Sequence, residues 1–180
     1  MKIENYFDEL VIMFKSLDKE LNIFQININD FVFQKKAKIN CFHCAKYNYC
    51  WTCPPRIPEL NYRELFNEYE NAIIVYKKFY FEKDTYAKVR IDSSLNLHKA
   101  LLEAEKFLFN RGNITNISFI GGSCKLCKNG CSSEKCNNPY YSRIPLEATG
   151  VNVVETLAKY NVSIKFPVKD YLIRVGSLLW

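Results

Sequence analysis

Histidine occurs only at His43 and His98, which is little for imidazole acid–base chemistry. The patterns G-x-G-x-x-G, G-x-x-x-x-G-K-[ST], H-E-x-x-H and G-x-S-x-G are missing, so nucleotide-binding, zinc-protease and serine-hydrolase readings lack their usual support. No apolar run approaches the ~20 residues that cross a bilayer. Glu4, Asp8 and Glu9 fall within the first ten residues, against the basic-then-apolar pattern of a signal peptide. The expectation is a cytoplasmic protein with no membrane segment. Repeats, low-complexity stretches and linkers long enough to divide the chain are also missing. One domain is therefore expected over 1–180, with a helix and extension at 1–40, a first cysteine loop at 41–58, and an α/β core with a second cysteine loop at 59–180.

What is present begins with 48% hydrophobic residues, enough for one substantial core without disulfide staples. The net charge of +6 would suit an anionic partner, but its lysines are dispersed, so no specific nucleic-acid binding is expected. Ile3, Phe7, Leu10, Val11, Phe14 and Leu17 recur at helical spacing, and Phe24 to Phe33 reads as two short strands or an irregular extension. Pro58 suits the first turn of a helix through Tyr69. Ala72 to Phe81 joins β-branched and aromatic residues into the best strand of the chain. Leu97, Leu101, Ala104 and Leu108 form a helical stripe that stops at Arg111-Gly112. Strands follow at Ile114 to Ile120 and Tyr171 to Val175, with Asn152 and Glu155 resembling a capping box for a helix to Tyr160. Together these predict an α+β fold: a small mixed or antiparallel sheet, covered on one side by packed helices, with two cysteine-rich metal-binding loops.

The eight cysteines fall in two runs. Cys41, Cys44, Cys50 and Cys53 make C-x2-C-x5-C-x2-C-P-P, and the two residues inside each pair form a tight turn that leaves both sulfurs on one side. Four such thiolates complete a tetrahedral Zn²⁺ site or one [4Fe–4S] cubane. Cys124, Cys127, Cys131 and Cys136 are staggered, with Pro139 behind them, a spacing nearer to ferredoxin runs than to zinc ribbons. Gly121, Gly122 and Gly130 would let backbone N–H groups turn toward sulfur, and Lys125, Lys128 and Lys135 would offset an anionic centre. Phe42, Tyr47, Tyr49 and Trp51 could wall a centre from water or serve as ordinary core. His43 is a candidate neighbour of the centre rather than a ligand, and His98 reads as helix packing. In two-cluster ferredoxins the fourth cysteine of a run serves the other cluster, so Cys53 and Cys136 are candidates for exchange.

Cys41-x2-Cys44-x2-Tyr47 and Trp51-x-Cys53-Pro54-Pro55, with Gly122-x-Cys124-x-Leu126-Cys127-x3-Cys131 and Glu147-Ala148-x-Gly150, resemble a family of unknown function. That family is described as predicted metal-binding proteins of anaerobic bacteria and archaea. The resemblance covers most of the chain from about Cys41 and implies metal binding through the eight cysteines; it brings no reaction.

The expectation drawn from spacing is two four-cysteine [4Fe–4S] sites that serve electron transfer to a redox partner protein, a carrier or accessory protein rather than an enzyme. A zinc-stabilised interaction or nucleic-acid-binding module is the alternative, and an iron–sulfur oxidoreductase with its own substrate pocket a further one. Two oxidised four-thiolate cubanes would contribute roughly −4, nearly cancelling the formal +6.

Overall fold

A computed structural model describes residues 5–180. Ile3 of the expected first helix lies outside the described residues. Helix α1 spans Phe7–Leu17 and buries Leu10 and Phe14, while Leu17, assigned to the same stripe, is half exposed at the helix end. The extension after it is one short strand, β1 at Asn22–Gln25, and a 3₁₀ turn at Ile28–Asp30. Two further helices flank the first cysteine run: α2 at Lys35–Ile39, which the sequence pattern did not announce, and α3 at Tyr62–Asn67. Helix α3 starts later than expected. The Asn61 side chain caps it by accepting from Glu64 N–H at 3.5 Å, and Pro58 lies outside, its carbonyl taking the Tyr62 hydroxyl at 3.0 Å.

Strand β2, Ala72–Tyr80, and strand β4, Tyr171–Leu179, pair along their whole lengths from Ala72↔Leu179 to Tyr80↔Tyr171. With β3 at Ile117–Phe119 they form a four-stranded antiparallel sheet in the order β1-β2-β4-β3. β4 runs past the expected end at Val175 because Gly176 makes a strand possible where a side chain would not fit. A Cβ there would lie 2.6 Å from Leu101 Cδ1 and 2.9 Å from the Phe119 carbonyl oxygen. β3 is shorter than Ile114 to Ile120 because residues 113–116 form a turn, in which the Asn116 amide bonds Asn113 O and Glu105 O.

The sheet is covered on both faces, not one. Ile73, Val75 and Leu178 pack with Leu10 and Phe14 of α1 and with Leu97, Leu101 and Leu108 of α4, Tyr86–Phe109. Alternate residues Ile74, Val175 and Leu179 point the other way, against Phe66, Leu146 and Leu157, the last from helix α5 at Val153–Ala158. Period-two side-chain alternation leaves both sets buried, each such side chain stabilising by about 1.5–3 kcal/mol. The expected cap of α5 is present, Asn152 Oδ1 accepting from Glu155 N–H at 3.2 Å. Helix α4 begins well before its apolar stripe, and these first turns carry Tyr86 and Arg90 to the cysteine runs. Among the described residues no helix is long and apolar enough to cross a membrane.

Candidate metal centre

The first run leaves α2 as a chain of tight turns. Cys44 N–H donates to Cys41 O at 3.1 Å and Cys53 N–H to Cys50 O at 3.0 Å, closing each C-x2-C pair through the backbone. Asn48 N–H reaches Pro54 O at 2.8 Å and folds the loop back on itself. Cys50 and Cys53 are buried, Cys41 is partly buried and Cys44 is exposed. The second run leaves the sheet after Ile120 and returns at Ile144. Its ends are held by Ile120 N–H to Ile144 O at 3.1 Å and Leu146 N–H to Ile120 O at 2.8 Å. Within it Cys124, Cys127, Cys131 and Cys136 are partly exposed, and all eight cysteines are free thiols.

The two runs touch. Trp51 Nε1 donates to Ser132 O at 2.8 Å. Tyr49 lies against Gly130, where φ is +83° and a Cβ would come within 2.8 Å of the tyrosine oxygen, so glycine meets both a backbone and a space requirement. The Cys131 thiol donates toward Cys50, Sγ to Sγ 3.7 Å. Contact between the runs is thus made by the third cysteine of the first run, Cys50, rather than by either fourth cysteine. The Asn138 amide donates to Cys127 Sγ at 3.1 Å.

Electrostatics sets Cys50 apart. A thiol hydrogen bond from Cys53 draws Cys50 far below the usual thiol range in spite of burial, with Thr52 and Cys131 adding to the effect. Cys53 is pushed up by that same bond and by burial. Burial pushes Cys124 up to about 11 and raises Cys131. Burial, then Glu147 and Cys44, raise Cys41.

The thiols border two cavities. Cys50, Cys124, Cys127, Cys131 and Cys136 line one of about 610 Å³, with Lys46 and Lys125 among its walls. Cys41 and Cys44 line a cleft of about 810 Å³ with Glu147, Arg174 and Tyr86, and Arg90 borders both spaces. Among the described residues no three His, Cys, Asp or Glu side chains gather closely enough around one point to hold a single metal ion.

Several expected neighbours act differently. Gly122 N–H donates to Glu147 Oε2 at 3.3 Å rather than to sulfur, and Gly130 N–H to Cys127 O at 3.1 Å. Gly121 is required by the sheet, since a Cβ there would lie 2.3 Å from Val175 O. Lys125 is half-buried with Nζ on Ser123, whereas Lys128 and Lys135 are exposed. Of the four aromatics, Phe42 and Tyr49 are largely exposed, and Trp51 is clasped by the Arg56 guanidinium at 4.3 Å. His43 is exposed beside Phe42. His98 is buried in α4 with a ring nitrogen 2.8 Å from Tyr141 O, as packing predicts. Sequence reasoning missed Arg90, Arg174 and Asn138 as neighbours of the thiols. Arg90 and Arg174 lie outside both runs and reach the thiols only through the pairing of β3 with β4 and the early start of α4. Glu147 was visible only as part of the Glu147-Ala148-x-Gly150 pattern.

A family model described as "Predicted metal-binding protein (DUF2284)" matches residues 24–180, both cysteine runs included. The chain belongs to this family. No curated protein and no solved structure matches it. The metal-binding description of the family falls on a chain whose eight cysteines are free and whose two cysteine runs the fold brings into contact.

Proposed function

We propose that this member of the family carries two [4Fe–4S] clusters on its eight cysteines and passes electrons to a partner protein. The supporting observation is the arrangement of the thiols: five, drawn from both runs, line one cavity of about 610 Å³, and Cys41 and Cys44 line the neighbouring cleft, a spread that suits bodies larger than one ion. The donor set is sulfur without histidine, which suits soft iron–sulfur ligation. Such a cluster, when bound, supplies one-electron transfer. The protein's own part is to hold the sulfurs, to offset their charge with Lys46, Lys125 and Arg90 at the cavity walls, and to shield one side with Trp51. Exposed Phe42, Tyr49, Lys128 and Lys135 around the loops form a docking surface for an acidic redox partner. On this reading the protein works in the cytoplasm and binds random nucleic acid weakly at physiological salt.

One distance favours zinc instead. A tetrahedral Zn²⁺ with sulfur at about 2.3 Å holds its ligands roughly 3.8 Å apart, and Cys50 and Cys131 stand at 3.7 Å. Iron, zinc and acid-labile sulfide are to be measured on anaerobically isolated protein. Iron and sulfide in equal amounts, with a brown colour that bleaches on reduction, is the expected result. About two zinc ions per chain without sulfide would remove the electron-transfer reading and leave a zinc-braced interaction module.

A further inference from the structure

The cleft beside the first cysteine run carries hydrogen-bond donors that the fold does not use. Arg174 lines it and is held by two bonds from its own guanidinium, Nε to Ser93 Oγ at 3.0 Å and Nη2 to Arg90 O at 2.8 Å. Both hydrogens of Nη1 and the second hydrogen of Nη2 are left over, and Nη1 with Nη2 presents the parallel pair that matches a carboxylate. Arg90 and Tyr86 line the same cleft, one turn apart on α4. Among the described residues the Arg90 guanidinium makes no hydrogen bond or ion pair, and the Tyr86 hydroxyl makes no hydrogen bond. Glu147 is the one carboxylate among the described lining residues, with Oε2 taken by Gly122 N–H at 3.3 Å. Lys36, also in the wall, is paired with Glu155 at 3.4 Å. Two arginines thus stand against one carboxylate, an excess that selects an anion.

The rest of the wall is apolar and wet. Ile39 of α2 and Phe166 of the segment before β4 are 58% and 73% exposed, although both line the cleft with buried Val151 and Leu172. Two large apolar side chains held in water on one cavity of about 810 Å³ mark a place that a hydrocarbon occupant would cover. We propose that the cleft is a binding site for an organic acid with one carboxylate and a hydrocarbon body. The carboxylate bonds Arg174 and Arg90, and the body lies against Ile39 and Phe166. No thiol is among these recognition groups, so the site stands whichever metal the cysteines hold. Cys41 and Cys44 share its wall, which seats the bound acid beside the first cysteine loop.

Octanoate is the probe, titrated by calorimetry into the anaerobically isolated, metal-loaded protein, with octanol, butyrate and octyl phosphate alongside. Octanoate should bind with a Kd below about 1 mM. Octanol, which lacks the charge, and butyrate, which lacks most of the body, should each bind at least about tenfold more weakly. Arg174→Gln should abolish octanoate binding. Since that change also removes the bonds to Ser93 and Arg90 O, two exposed positions decide the matter if the variant unfolds. Arg90→Gln should weaken octanoate about tenfold, and Phe166→Ala about fivefold, the latter by shrinking the advantage of octanoate over butyrate. Circular dichroism should show both variants folded as the parent. No octanoate binding up to about 10 mM, octanol binding as well as octanoate, or an unchanged Kd in either exposed-site variant would overturn the proposal. Octyl phosphate binding more than about tenfold tighter than octanoate would assign the arginines to phosphate and overturn it as well. Zinc without sulfide in the metal analysis would end the iron–sulfur reading and leave this result standing.

Discussion

Glu105→Ala tests how the second cysteine run is anchored to the fold. Glu105 is 9% exposed, and its carboxylate accepts from Ser118 N–H at 2.8 Å, from the Ser118 hydroxyl, from Arg143 Nε at 2.7 Å and from Arg143 Nη2. It thus ties α4 to the middle of β3 and to the segment where the second run returns. Removing one partner of a buried ion pair costs about 3–5 kcal/mol, since the other charge is left uncompensated. Arg143 keeps its Nη1 bonds to Tyr140 O and Ser142 O, and its side chain is 21% exposed, which places this contribution near the lower limit. The orphaned Ser118 N–H adds about 1 kcal/mol. The expected loss is about 4 kcal/mol, a fall in Tm of about 8–16 °C for a chain of this size. Arg143→Met should cost about 3 kcal/mol, and the double variant should cost less than the sum by about 1–3 kcal/mol because both changes remove one contact. Urea unfolding of anaerobic protein followed by circular dichroism measures all three. A Glu105→Ala loss under 1 kcal/mol, or strict additivity in the double variant, would refute the anchoring argument.

Cys131→Ser should lower metal content and Tm together, because metal binding energy is partly folding energy; unchanged metal by elemental analysis would remove Cys131 from the ligands. Gly130→Ala meets both a positive φ and the Tyr49 oxygen at 2.8 Å, so it should cost about 1–3 kcal/mol by denaturant titration. Tyr49→Ala should relieve only the steric part, and full rescue or none would contradict this division. Leu101→Ala, at a fully buried contact of α4 with the sheet, should cost about 2–5 kcal/mol, measured in the same way. The Tyr160 hydroxyl donates to Asp30 Oδ2 at 2.7 Å and holds that carboxyl below its ordinary 3.8. A depressed folded-state pKa gives stability that is present above the unfolded value and is lost as pH falls through the folded one. Asp30→Asn should therefore flatten part of the acid limb below about pH 4, and an unchanged limb in a pH series of unfolding curves would count against the bond.

Local signals carried far. The strand at 72–80, the stripe of Leu97, Leu101 and Leu108, the Asn152 cap and the left-handed Gly112 all appear where residue type and period placed them. Each depends on neighbours within a turn or on side-chain alternation, which sequence states directly. The tight turns inside Cys41 to Cys44 and Cys50 to Cys53 belong to the same class, since two intervening residues leave the backbone little choice. Helix α3 went the other way: Pro58 was a permissible first-turn residue, but the Asn61 side chain supplied the cap that decided the boundary.

What the sequence determined by itself was the donor chemistry, eight thiols in two compact runs with few histidines. Tertiary structure decided how those thiols are grouped. Cys50 stands against Cys131 because Trp51 bonds Ser132 and Tyr49 seats on Gly130, contacts between segments about 80 residues apart that no local spacing encodes. Arg174 comes to Glu147 and Gly122 only through the register of β3 with β4 and the room left by Gly121. Linear spacing limits which sulfurs can share a turn, and the packing of the two loops on each other selects which sulfurs share a cavity.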